Sequence, residues 1–352
     1  MLTTISGLLL ACTVAALTTL GASSQVPGPT GATLLASGFE GPIGSTIGPD
    51  GALYVADGPA GRISRVDVLT GEVTTFASGL PKMIPDVGIG GVMDVAFYGQ
   101  TAYALVTLVS PDVGGNDVDG IYRIDGPDSF TVIADLGQFS MDNPPVPEFF
   151  VPTGVQYAMD FYTNRFLVTD GHHNRVLEVT LEGDISDLAD FDNIVPTGLE
   201  VLGSTVFMAE AGPVPHEAKD GKIVKFAPDS PGSAPEVASG ANLLVDVEYG
   251  LGGFYALSQG PGMPGAPAGA PAQPNTGSLL RVNNDGTLSV LIDELDRPTS
   301  LELVGDTAYI VTLAGEVWEI DGVSELSGNA PTTVGPPSPI MPPSTGDGGL
   351  IH

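Results

Sequence analysis

Bases and cysteine are what this sequence has least of. Lys and Arg together number 11 against 42 Asp and Glu, giving a formal net charge of −31 over 352 residues. Charged residues make up only 15% of the chain, against about 25% in a typical domain, so the imbalance comes from depleted bases more than from added acids. A surface of this sign repels nucleic-acid phosphates and anionic lipid headgroups, which argues against both as partners. It suits divalent cations, a basic partner or plain solvation in salt. The one cysteine, Cys12, lies in an apolar run from Leu8 to Leu20 that ends in Gly21-Ala22-Ser23-Ser24. Small residues there suit a signal peptidase, so residues 1–24 read as a signal peptide and the protein as secreted, extracellular or periplasmic. No Lys or Arg precedes the run, so the usual basic n-region is missing. With Cys12 removed, disulfides and thiol catalysis are excluded. No later stretch is long and apolar enough to span a bilayer. Also absent are a G-x-S-x-G elbow, an H-E-x-x-H helix, a P-loop and a dinucleotide fingerprint.

What remains is short β-type runs punctuated by turns. Between about 33 and 323 no helical period is sustained, and 48 glycines and 31 prolines mark the breaks. The clearest unit runs Gly44-Ser45-Thr46-Ile47, the turn Gly48-Pro49-Asp50-Gly51, Ala52 to Asp57, Arg62 to Asp67, the turn Leu69-Thr70-Gly71, and Glu72 to Ala77. These are four strands, A to D. Further copies begin near Val92, Gly154, Val195, Leu244 and Pro298, and Val195-Pro196-Thr197-Gly198 repeats Val151-Pro152-Thr153-Gly154. The sixth copy stops after three strands, while Thr33-Leu34-Leu35-Ala36-Ser37-Gly38-Phe39 resembles the fourth-strand segment Thr74 to Leu80. An open ring would leave a sheet edge unpaired, so the N-terminal strand is expected to complete the last blade beside Val317 to Ile320. The fold expected is all-β: a six-bladed β-propeller over residues 33–323, followed by a Pro/Gly-rich disordered tail over 324–352. A monomer is expected.

A–B and C–D turns read as short, whereas the long insertions, Val109 to Asp119, Ser140 to Phe150, Glu210 to Asp220 and Gln259 to Thr276, fall at B–C or D–A connections. Those connections share one face, which becomes the expected binding face for a small-molecule or protein ligand. Asp94 and Asp246 stand near the starts of A strands, and Asp57, Asp170 and Glu210 end B strands. Asp94, Asp170, Glu210 and Asp246 are the candidate ligands for Ca²⁺ or another divalent cation, because a hard cation wants six to eight oxygens. Asp57, His172, His173 and His216 are the further candidates on the binding face. The alternative reading makes the acids loop caps that accept backbone N–H groups. The segment Asp112 to Gly120 is oxygen-rich but lacks the EF-hand glutamate, Arg123 standing at the twelfth position. Tyr54, Tyr103, Phe166, Phe207, Tyr255 and Tyr309 recur on strand B and read as packing between blades.

Val195-Pro196-Thr197-Gly198, Gly48 to Val55, Gly277 to Val282 and the order of Leu188-Ala189 before Pro196-Thr197-Gly198 resemble the ScyD/ScyE family, over roughly residues 33–323. That resemblance implies an exported NHL- or TolB-like propeller, and it carries no catalytic residues. A more distant resemblance, to gluconolactonase-like propellers, implies a divalent cation on the axis held by carboxylates. It keeps a metal-dependent hydrolase or lactonase as the alternative to an extracellular binding module.

Overall fold

A computed structural model describes residues 28–328, apart from 147–150, 215, 218 and 267–268. The proposed signal peptide and the tail from 329 onward lie outside the described residues. Twenty-four strands form six antiparallel sheets of four. Strand β1 (Thr33–Ser37) precedes blade 1, which holds β2 (Pro42–Ile47), β3 (Leu53–Asp57), β4 (Arg62–Val66) and β5 (Val73–Ser78). Blade 2 holds β6 (Gly91–Tyr98), β7 (Thr101–Thr107), β8 (Gly120–Gly126) and β9 (Ser129–Asp135). Blade 3 holds β10 (Gln156–Tyr162), β11 (Arg165–Asp170), β12 (Arg175–Thr180) and β13 (Ile185–Asp190). Blade 4 holds β14 (Pro196–Leu202), β15 (Thr205–Glu210), β16 (Gly221–Phe226) and β17 (Glu236–Ala241). Blade 5 holds β18 (Leu244–Gly250), β19 (Gly253–Ser258), β20 (Gly277–Val282) and β21 (Leu288–Leu295). Blade 6 holds β22 (Pro298–Val304), β23 (Thr307–Thr312) and β24 (Glu316–Asp321). The protein is a six-bladed β-propeller.

Ring closure follows the sequence expectation. β1 pairs antiparallel with β24, Thr33 opposite Glu319, Leu34 opposite Trp318 and Ala36 opposite Val317. The apolar core is divided into six clusters, one in each gap between neighbouring blades. Ala36, Phe39, Val311 and Val317 of blade 6 meet Leu53, Val55 and Val66 of blade 1. Tyr54 packs on Val92 and Val106, and Tyr103 on Phe166 with ring centroids 4.8 Å apart. Both faces of each sheet are therefore covered, which is why strands such as Leu53–Asp57 are buried throughout instead of alternating. The recurrent strand-B aromatics fill these gaps as expected, Phe207 only half-buried against Phe254.

Three departures from expectation are local. A helix, α1 (Leu136–Asp142), occupies the connection after β9. Asp135 caps it by accepting from the Gln138 N–H at 2.8 Å, while Leu136 and Ser140 turn inward. The C–D connection of blade 4 spans Ala227 to Pro235 and is not a tight turn. Residues 324–328, expected in the tail, pack against blades 5 and 6. Ser324 bonds Asp306, and Arg281 donates to the carbonyls of Val323, Ser324 and Leu326.

Deleting residues 1–37 removes β1 and bares the β24 edge together with the apolar surface under Ala36. The shortened protein should melt about 10 °C or more below the parent, as expected for a loss of several kcal/mol in a domain of this size. Differential scanning calorimetry of the two proteins reads this directly.

Candidate functional site

The six inner strands, β2, β6, β10, β14, β18 and β22, share one irregularity. Each shifts register near its start, between Pro42 and Ser45, Val92 and Asp94, Gln156 and Met159, Pro196 and Leu199, Leu244 and Asp246, and Pro298 and Ser300. Such bulges re-aim the side chains that follow. Aligned on the bulge, the third positions are Gly44, Asp94, Ala158, Gly198, Asp246 and Ser300. The fifth positions are Thr46, Ala96, Asp160, Glu200, Glu248 and Glu302. All twelve line one axial cavity of about 190 Å³. Asp94 and Asp246 belong to blades 2 and 5, opposite one another in a ring of six. Room for each comes from a glycine on the preceding blade: a Cβ on Gly44 would collide with the Asp94 carboxylate, and one on Gly198 with that of Asp246.

Four of the six axial carboxylates stitch neighbouring inner strands. Asp94 accepts from Val95 N–H at 2.8 Å and, across the gap, from Met159 N–H at 2.7 Å. Asp160 accepts from Phe161 at 2.6 Å and Val201 at 3.1 Å. Asp246 accepts from Val247 at 2.9 Å and Leu301 at 2.8 Å. Glu200 accepts from the Tyr249 N–H. Among the described residues no donor reaches Glu248 or Glu302, and no Lys or Arg lines the cavity. Burial raises the whole set, joined everywhere but at Asp160 by the neighbouring carboxylates. Asp160 is pushed up to about 6 and Glu200 and Asp246 to about 7, while Asp94, Glu248 and Glu302 lie well above the usual carboxylate range.

Exposure along the inner strands shows which way the cavity faces. Pro42, Val92, Gln156, Pro196, Leu244 and Pro298, at the strand ends beside the long loops, are all buried. At the fifth position Asp160, Glu200, Glu248 and Glu302 are half-exposed. Water therefore reaches the acids from the face of the short A–B turns. The axial acids thus lie apart from the long-loop face on which ligand binding was expected.

The acids at the ends of B strands do different work. Asp57 and Asp170 are fully buried, and each faces a base across the ladder: Asp57 opposite Arg62, Asp170 opposite Arg175. Asp57 accepts from Arg62 at 3.0 Å and from the Glu40 N–H at 3.2 and 3.1 Å, tying the incoming connection to β3. Asp170 accepts from Arg175 Nε at 3.1 Å and from the Val155 N–H, with His173 Nδ1 at 3.0 Å. Burial alone would raise Asp170; His173 and Arg175 outweigh it and hold the carboxyl below its ordinary value. Arg175 itself is 2% exposed and also donates to Asn143, Asp187 and Ser140. His173 is buried, its Nε2 donating to the Val151 carbonyl at 2.8 Å. Glu210 stands opposite Lys222 in register, and burial pushes it up to about 7, with Lys222 opposing the rise.

The four metal candidates therefore split into two pairs: Asp94 and Asp246 on the axis, Asp170 and Glu210 within blades. Among the described residues no three His, Cys, Asp or Glu side chains converge to hold a metal ion. Of the binding-face candidates, Asp57 and His173 are buried and engaged by Arg62 and by the Val151 carbonyl. His172 and His216 do come within mutual influence. Burial lowers His216, and burial with the His216 charge lowers His172 to about 4. The oxygen-rich loop is mostly exposed and is anchored at Asp119, Ser110 Oγ standing 2.6 Å from both Asp112 and Asp119. Asp160, Glu200, Glu248 and Glu302 escaped the sequence reading. Their signal is the fifth place of the repeats Pro196-Thr197-Gly198-Leu199-Glu200 and Pro298-Thr299-Ser300-Leu301-Glu302.

Comparison with solved structures finds other propellers at low identity. A gluconolactonase from Xanthomonas campestris superposes with a TM-score of 0.57 at 12% identity, covering 82% of this chain and 89% of its own. The PQQ-bound aldose sugar dehydrogenase of Streptomyces coelicolor gives 0.56 at 14%, covering 82% and 96%. A chain of a nidogen/laminin complex gives 0.54 at 14%, covering 80% and 93%. These likenesses show the fold alone. No protein-family model matches the chain, and no curated protein matches it.

Two outcomes test the site's electrostatics. Arg175→Met takes the guanidinium from buried Asp170 and leaves it His173 and the Val155 N–H, and should lower stability by about 3 kcal/mol, read by denaturant unfolding. The axial acids titrate higher when folded than unfolded, so the native state holds more protons between about pH 4 and 7. Their contribution is full below pH 4 and is lost as pH rises through their folded values. His172 and His216, lowered by burial, act in the opposite sense over an overlapping range, so the test is a difference. Glu248→Gln/Glu302→Gln should match the parent's melting temperature near pH 4 and exceed it by several degrees at pH 7.5.

Proposed function

We propose that this protein is an exported, non-catalytic binding propeller that takes an organic cationic group into its axial cavity. One observation carries the reading: six carboxylates from five inner strands face one axial cavity with no base in its lining. Unpaired buried charge is costly, so the cavity must hold protons or an external cation. A metal ion needs several oxygens at about 2.0–2.6 Å around one point, a convergence missing among the described residues. An ammonium or guanidinium group spreads its donors over a wider span and suits carboxylates standing apart. Export is supported by the Leu8 to Leu20 run and the small residues after it, and a ScyD/ScyE-type assignment by the order of the repeat motifs.

The hydrolase alternative rests on Asp94 and Asp246 as axial metal ligands. Each already accepts strand amides on both oxygens, and fold likeness to a gluconolactonase supplies no reaction.

Calorimetry with n-butylammonium, guanidinium, Ca²⁺, Mg²⁺, Mn²⁺ and Zn²⁺ tests the two readings together. The organic cations should bind saturably at pH 7.5 and weaken as the pH falls through about 7, where the carboxylates reclaim protons. Absence of binding by every cation overturns the proposal. Lactone hydrolysis that requires a divalent ion and vanishes in Asp94→Asn establishes the enzyme instead.

A further inference from the structure

The cavity mouth is not uniform around its rim. In blades 1 to 3 the fifth positions are Thr46, Ala96 and Asp160, and Asp160 is occupied by two N–H groups. The neighbouring rim residue Tyr98 leans on Phe161, with centroids 4.6 Å apart. In blades 4 to 6 all three fifth positions are acids, and Glu248 and Glu302 have no donor among the described residues. Exposed apolar side chains at the inner-strand ends and turns are Tyr98 at 47% on the first half, and Leu202 40%, Tyr249 48%, Leu251 60% and Val304 40% on the second, where Tyr249 rests on Phe254 with centroids 5.0 Å apart. The donor-free carboxylates and the larger share of the exposed apolar surface therefore coincide on one half of the short-turn face.

We propose that this half-rim is a docking surface for a protein segment that inserts one lysine or arginine side chain into the mouth. The proposal rests on the cation-binding reading of the cavity and names the source of the cation. Charge complementarity selects a basic group, since no Lys or Arg of this chain lines the cavity. The apolar rim selects what carries that group. A hydrated metal ion or a free amine gains nothing from Tyr249, Leu251, Leu202 and Val304, whereas the methylene stem of a basic side chain and its apolar flanking residues lie against them. The guanidinium or ammonium head then reaches Glu248 and Glu302, one strand-pair inside. The long-loop side offers no such entry, since the inner-strand residues at that end, Pro42 and Leu244 among them, are buried.

Selection of a random octapeptide display library on the full chain, with n-butylammonium and guanidinium titrated in parallel, tests this. Recovered peptides should carry one Lys or Arg flanked by apolar residues. Replacing that residue by Gln should abolish binding. Glu248→Gln/Glu302→Gln and, separately, Tyr249→Ser/Leu251→Ser should each weaken the peptide about tenfold or more, while the second pair leaves the binding of guanidinium, which has no stem, unchanged. If n-butylammonium binds but no basic peptide is recovered, or recovered peptides ignore both double variants, the docking surface is overturned and the cavity reading stands. If neither n-butylammonium nor a basic peptide binds, both fall.

Discussion

The structure depends on closing a ring of sheets, and closure is carried by the pairing of β1 with β24. Five blades are each made from a contiguous stretch of chain, but the sixth joins the two ends of the domain. Without β1, β24 would present an unpaired edge and the cluster between blades 6 and 1 would lose Ala36 and Phe39. Every blade needs both neighbours, because its two faces are apolar and only an adjacent sheet covers each. The long-range register at one seam thus holds six local ones. No disulfide is available among the described residues to share that task.

Closure also sets the chemistry of the axis. Six inner strands brought around a common centre place their bulges at one height, so the residues after each bulge meet across a narrow space. Carboxylates there do two things at once. Asp94, Asp160, Glu200 and Asp246 each accept an N–H from the next inner strand, giving inward-facing amides a partner where no further strand is available. Having done so they crowd negative charge into a low-dielectric centre, and burial, joined everywhere but at Asp160 by that crowding, raises their proton affinity. The glycines at Gly44 and Gly198 fit the same arrangement, since a side chain there would displace the opposing pair Asp94 and Asp246.

Much of the fold was legible because its causes are local. Turn residues at short spacing, the repeated Pro-Thr-Gly and the fourth-strand segment at Thr33 to Phe39 gave blade number, strand order and closure. The site was less legible because its causes are not local. Loop length suggested the long-loop face, but access is decided by which inner-strand residues are covered, and Pro42, Gln156 and Leu244 gain their cover from distant chain. Counted singly, Asp170 reads as a metal ligand and Asp57 as a binding-face residue; paired with the bases that open the next strand, Arg62 and Arg175, they are cross-strand clasps. Glu248 and Glu302 stood in plain repeats, yet only the bulge turns those positions to the axis.

The scarcity of bases acquires a physical meaning once the arginines are placed. Arg62, Arg65, Arg123, Arg165, Arg175 and Arg297 each face a carboxylate of their own blade or of one beside it, and Arg281 serves backbone carbonyls. All seven are committed to structure, away from the axis. Net charge spread over a solvated surface is screened within about 8–10 Å at ordinary ionic strength, but charge enclosed in a cavity is screened far less. The axial acids are therefore the part of the −31 that solvent neutralises least well. Since the chain supplies no cation there, neutrality at the centre comes from protons at low pH and from an external cation at higher pH. The same carboxylates that join the inner strands thus make occupancy of the cavity a function of pH, and its half-exposed Glu248 and Glu302 put that exchange at the short-turn face.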